Sequence, residues 1–375
     1  MNRSARFFGA MFHVKHRARL AVALGLVALL ATGCVGLSSP EGWAAPAADG
    51  DQLFAQLDRG TISAGSITAA GSFSEDWRFP AETDDLDLEG FYATPLVDDD
   101  TLFVVSYDGV VAALDTRTGR PIWPVVELDA TVVATPLVDG RAIYVATEDG
   151  DVIVLDVDSG AEIDRFLERD GRVWAAPVAS SGTIFVGKLD ARELWAVQSS
   201  SGDIAWSQDA GGGLSADLVL AGDLVLAGSL DRSIHAFDTS SPGAERWRYQ
   251  ASGWIVAAPL VAGDVVYGAT LRGEVFALDA VSGDEKWKYT DSDLEFRAQL
   301  VLRNGVLVAA DRDGRVRGLD PSNGELRWES DLDNAKLFAD PIVFDGSILY
   351  LTKDGDLLRL EAADGAASFV SGRGG

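Results

Sequence analysis

The chain is predicted to be all-β, a single β-propeller of four-stranded blades. Three observations predict it. A segment of about 41 residues recurs seven times. Each copy reads as short apolar runs bounded by Gly and Asp turns, as strands should be. No helical apolar period appears between the copies. Repetition at this length means one unit stacked on copies of itself, because a single unit cannot bury its own apolar faces.

The elements follow in chain order. Residues 1–33 hold Arg3, Arg6, Lys15, Arg17 and Arg19 and no acid, followed by the apolar run Leu20 to Ala31. That run is too short to span a bilayer but suits the apolar region of a secretory signal. It ends in Leu30-Ala31-Thr32-Gly33-Cys34, which resembles a bacterial lipobox, with Ala31 where Leu is commonest. Cys34 is the only cysteine, so an intramolecular disulfide is excluded and lipidation is its expected use. Residues 34–76, rich in Gly, Ala, Ser and Pro, read as a flexible tether that carries Trp43 and a short apolar patch at Leu53-Phe54. The propeller is expected over 77–375.

The repeats are anchored at Pro95, Pro136, Pro177, Asp217, Pro259, Gln299 and Pro341. In the first, Tyr92 to Val97, Leu102 to Val105 and Val110 to Leu114 read as three strands, and Ile122-Trp123 begins the fourth. Asp108-Gly109 suits the tight turn between the second and third, since both residues accept positive φ at little cost. Four antiparallel strands repeated radially make a propeller, which leaves only short edges. Small residues in the first strand (Ala93, Ala134, Ala175, Ala257, Ala339) fit crowding around an axis. Trp123, Phe166, Trp206, Trp247, Trp287 and Trp328 recur on the fourth strand, where an aromatic can wedge between neighbouring blades. Trp77-Arg78-Phe79 reads as a fourth strand with no first three. It is therefore expected to close the last blade beside Leu357 to Leu360. Seven blades is the resulting count, with a degenerate eighth in residues 51–80 as the alternative.

Without residues 1–33 the chain carries 26 Lys and Arg against 58 Asp and Glu, a formal charge of −32. Such a field repels nucleic acid and anionic headgroups. Acidic turns repeated seven times produce it without any partner.

The pattern A-x-P-L-V, V-Y-G-A-T and E-V-F-A-L-D-A-V-S-G-D-E-K-W in residues 257–287 resembles the pyrroloquinoline-quinone-like propeller repeat. One branch of that superfamily contains quinone-dependent dehydrogenases. Another contains non-catalytic lipoproteins of the BamB type, which act in outer-membrane assembly. The lipobox, tether and bare propeller resemble the second branch. The resemblance implies an exported, lipid-anchored scaffold that binds envelope proteins or peptide segments. If the envelope has two membranes, it implies the periplasmic face of the outer one. The rival reading is an oxidoreductase using the quinone and Ca²⁺; a carbohydrate-binding module is a third.

The residues favour the scaffold. A quinone site of that family would need a carboxylate-and-amide calcium site and often an adjacent Cys pair, which is absent. Asn304 and Asn334 fall in turns. After the signal the chain has one His, His235, at a position that varies among the repeats, too little for a His-rich metal site or a triad. No catalytic residue, metal or cofactor is expected. Specificity is expected where the repeat breaks its own rule: Arg297, Gln299, Asp217 and Asp340, all on innermost strands. They form a candidate channel-lining cluster that could bind an anionic group or neutralise itself. Trp174 and Trp195 are the aromatics a sugar platform would use.

Overall fold

The computed structural model describes residues 42–82, 84–166 and 171–371. The leader, Cys34 and the start of the expected tether lie outside the described residues. The described chain forms eight antiparallel sheets of four strands each. Blades 1 to 8 span 47–79, 96–127, 137–166, 178–209, 219–250, 260–290, 301–331 and 342–371.

The count of seven is therefore corrected to eight. Residues 47–76 are strands rather than tether: Ala47–Asp49, Gln52–Asp58 and Thr61–Ile67 precede Phe73–Phe79, the strand that carries Trp77. The Trp77 strand pairs with Thr61–Ile67 in its own blade, not with the last one. Leu357–Leu360 pairs instead with Ala367–Ser371. Among the described residues no strand is shared between blades. Blade 1 meets blade 8 through an apolar cluster in which Leu53, Phe344, Leu349, Leu357 and Val370 are all buried.

The register is stricter than the sequence anchors suggested. From blade 2 onward the first strands begin at Leu96, Leu137, Val178, Val219, Leu260, Val301 and Ile342, a constant step of 41. Residues 218 and 300, both Leu, therefore stand at the Pro95 position, and Asp217 and Gln299 lie one residue earlier. This alignment reveals a ring of alanines: Ala44, Ala93, Ala134, Ala175, Ala216, Ala257, Ala298 and Ala339, every one buried. Eight strands converge there, and a methyl group is what their packing admits. Arg297 accordingly does not replace an alanine.

The fourth-strand aromatics join successive blades. The indole N–H groups of Trp77, Trp247, Trp287 and Trp328 donate to carbonyls of Thr116, Ala280, Pro321 and Ala362 in the next blade, at 2.9–3.1 Å. Trp123 reaches Val157 at 3.3 Å. Each ring lies on a glycine of the next blade's last turn. A Cβ added to Gly324 would sit 2.4 Å from Trp287, and one on Gly243 would sit 2.5 Å from Trp206. Phe166 seats on Gly202 in the same way. However, it pairs with Val152, two residues beyond the usual place, which Asp164 occupies opposite Val154.

Candidate functional site

The segments that lead into the first strands carry two rings of side chains, one residue to either side of the alanine ring. The inner one contains Thr94, Thr135, Asp217, Gln299 and Asp340. Its members hydrogen-bond from blade to blade: Thr135 Oγ1 accepts the Thr94 N–H (3.0 Å), Asp217 Oδ1 the Ala176 N–H (2.7 Å) and Asp340 Oδ1 the Gln299 N–H (2.6 Å). The outer ring contains Trp43, Tyr92, Trp174, Ser215, Arg297 and Phe338. Arg297 spreads over the rings of Phe338 (5.2 Å) and Trp43 (5.6 Å). Trp43 meets Tyr92 edge-on at 4.3 Å, and Tyr92 meets Tyr107 at 5.2 Å. The four residues singled out in the sequence thus gather at one hub, in two layers.

Both carboxylates are enclosed by protein, yet neither residue is fully removed from solvent. Burial pushes Asp340 up to about 6; the Gln299 N–H opposes this, the Asp217 charge adds to it and the Arg297 charge opposes it. Burial likewise raises Asp217, against the Ala176 N–H. An acid whose folded-state pKa is raised binds its proton more tightly when folded. Its stabilising share is therefore present at low pH and lost as pH rises through about 6. Asp340→Asn keeps the acceptor for Gln299 and removes the charge. It is expected to stabilise the fold at pH 7 by about 1–2 kcal/mol, after discounting for the partial exposure of the residue, and to change little at pH 4. Denaturant unfolding at the two pH values checks it.

The hub does not fit the quinone. A planar cofactor needs two parallel faces with a gap between them, whereas Trp43 and Tyr92 pack at 87° and Arg297 covers Trp43. Among the described residues no group of three or more His, Cys, Asp or Glu is placed to hold a metal ion. The sugar platform finds no free face either. Trp174 donates to Glu148 (2.7 Å) with Arg172 over its ring, and Trp195 is buried under the Lys188 ammonium at 4.4 Å.

Two sets of residues escaped the sequence reading. One is a buried polar ring at the ends of the second strands: Gln56, Ser106, Thr147, Lys188, Ser229, Thr270, Asp311 and Thr352. Its Ser and Thr hydroxyls cap the following turn, as where Ser106 Oγ accepts the Val110 N–H at 3.0 Å. A polar residue before Asp-Gly at a 41-residue step was the available signal.

The second set lies on the tips of those same turns. Blades 4, 5 and 6 present Leu189, Leu230 and Leu271, each half-exposed, beside the exposed arginines Arg192, Arg232 and Arg272. Among the described residues none of the three arginines has an ion-pair partner, although most bases in this acidic chain do. Arg192 and Arg232 also hold φ of 61° and 77°, where other blades use Gly109, Gly150, Gly273, Gly314 and Gly355. Such strain costs about 1 kcal/mol or more and collects where a side chain is needed for another purpose.

Fold and hub together define a propeller of the pyrroloquinoline-quinone-like class whose hub is packed with its own side chains. More particularly, the chain belongs to the family described as outer membrane protein assembly factor BamB, whose model matches residues 63–188, 158–241, 190–337 and 292–374. Among solved structures it is similar to BamB from Moraxella catarrhalis, with 21% identity and TM-score 0.68 over 83% of this chain and 94% of that one. It is also similar to the computationally designed Ika8 protein, with 15% identity and TM-score 0.71 over 88% and 97%. No curated protein matches it.

Proposed function

We propose that this protein is a non-catalytic scaffold of the cell envelope, serving outer-membrane assembly, and that it holds a partner protein on the turns of blades 4–6. The observation that carries this reading is the repeated pairing of a half-exposed Leu with an unpaired Arg on three consecutive blades. Leu supplies apolar area, and Arg supplies a planar donor set that favours interfaces. Against the charge of −32 that the chain carries without residues 1–33, the patch selects a partner that is apolar and acidic at the contact. The family description supports the assembly role. Export by residues 1–33 and a lipid anchor on Cys34 belong to the same proposal and would confine the propeller to a membrane surface.

Two results are expected. Replacing Leu189, Leu230 and Leu271 together with Glu should abolish retention of the partner in affinity capture while leaving the circular dichroism spectrum intact. Unchanged retention would refute the assignment of this face. Arg232→Gly should raise stability by about 0.5–1 kcal/mol by relieving positive φ, and should weaken the same interaction. Thermal melting and a binding titration read the two effects separately.

A further inference from the structure

Directly beneath the blade 5 tip lies a histidine held between two carboxylates. His235 stands in the third strand, Ser233–Asp238, and is fully buried. Its Nδ1 is 2.7 Å from Glu245 Oε1 and its Nε2 is 3.1 Å from Asp231 Oδ2. Asp231 belongs to the tip itself, between Leu230 and Arg232. A carboxylate can only accept, so both contacts are hydrogen bonds only when the ring carries both protons. Phe237 stacks parallel to the imidazole at 5.7 Å and fixes its plane. Blade 6 has Phe276 at the corresponding position, so the fold itself does not require an imidazole there.

We propose that His235 is a proton-operated latch for the Leu230–Arg232 turn, holding it at acid pH and releasing it as the imidazole loses a proton. Histidine is the side chain whose charge ordinarily changes between about pH 5 and 8. On deprotonation the remaining proton stays on Nδ1, at the shorter contact to Glu245. A bare Nε2 lone pair then faces the Asp231 carboxylate, and their repulsion frees the tip. Asp231 is otherwise held through Oδ1 by the Ser233 N–H at 2.7 Å, through its own N–H by Ser229 Oγ at 3.1 Å and through its carbonyl by Gln250 Nε2 at 3.2 Å, none of which depends on the imidazole.

The surrounding groups fit this direction of opening. Glu245 stays anchored after the proton leaves, because Arg248 donates to both its oxygens at 2.8 and 3.0 Å. Burial raises Glu245, but its bonds to Arg248 and His235 outweigh burial and hold it below the usual carboxylate range. On the second strand the cross-strand neighbour is Ala227, which carries no charge. From blade 4, Asp209 acts on Arg248. Gly211 closes over Asp231, where a Cβ would lie 2.5 Å from Oδ2. The latch is a property of blade 5 alone; that it regulates partner binding rests on the docking proposed above.

The test uses the full chain with His13 and His16 replaced by Gln, so that one ¹⁵N-labelled imidazole remains. Amide exchange of residues 229–233 is measured from pH 5 to 8 as a ratio to residues 270–274, the matching turn of blade 6, which has no imidazole. The ratio is expected to rise about tenfold, in step with the imidazole ¹⁵N titration, and to stay flat in His235→Gln and His235→Phe. A flat ratio in the parent protein, or the same rise in a folded variant, overturns the latch. If the ratio behaves as expected but the partner binds equally at pH 5 and 8, the latch stands and its link to docking is refuted.

Discussion

Replacing Trp287 with Ala is expected to destabilise the propeller by about 3–5 kcal/mol. The ring is 92% removed from solvent in wedging blade 6 against blade 7, and its N–H bond to the Pro321 carbonyl is 2.9 Å long. Gly324→Ala attacks the same joint from the other side, since the new methyl would meet the indole at 2.4 Å at a backbone φ of 74°. The two changes should not add. Once the indole is gone, Gly324→Ala retains only its backbone strain, about 1 kcal/mol. A double-mutant cycle by urea unfolding checks this, and strict additivity would mean that the ring and the glycine do not act as one joint.

The second large effect is expected at Lys188. Its turn is one residue longer than its counterparts, so the local cap used by Ser106 or Thr147 gives way to a reach across the seam. Lys188 Nζ donates to the Gly150 carbonyl of blade 3 at 2.8 Å and lies over Trp195. Lys188→Ala removes a buried stem and strands that carbonyl, for about 2–4 kcal/mol. Lys188→Met keeps the volume and should cost about half as much. Equal losses would show that the contacts of the ammonium, and not the packing of its stem, are at stake.

The propeller was legible because a 41-residue repeat survives in most blades, yet blade 1 was read only as a degenerate alternative within residues 51–80. Blade 1 does carry the first-strand signature, as Ala44-Ala45-Pro46. However, the longer connection over residues 80–90 sets Pro46 49 residues before Pro95, which removes it from the period. Its third strand, Thr61–Ile67, also lacks the closing Leu-Asp of Leu114-Asp115, Leu155-Asp156, Leu278-Asp279 and Leu319-Asp320. The one-residue slip at Asp217 and Gln299 had a similar cause. Proline was read as the anchor, whereas the invariant demand is the buried methyl one position before the polar ring.

The hub cluster was found because charge on an inner strand is costly and hence conspicuous. The Leu and Arg tips were not, since single exposed leucines and arginines are ordinary on any surface. They gain meaning only when the fold sets three of them side by side. His235 was visible as a lone imidazole, but its two carboxylates come from a turn and a neighbouring strand that sequence spacing does not join.

The most direct test of the scaffold reading is site-specific photo-crosslinking in cells. A photoreactive residue is placed at 230 or 271 on the proposed face, or at Val281, which is 81% exposed on a turn at the other end of the same blade. A scaffold that binds on this face gives adducts to one envelope protein from 230 and 271 and none from 281. Adducts from 281 alone, or equally from all three positions, would contradict it.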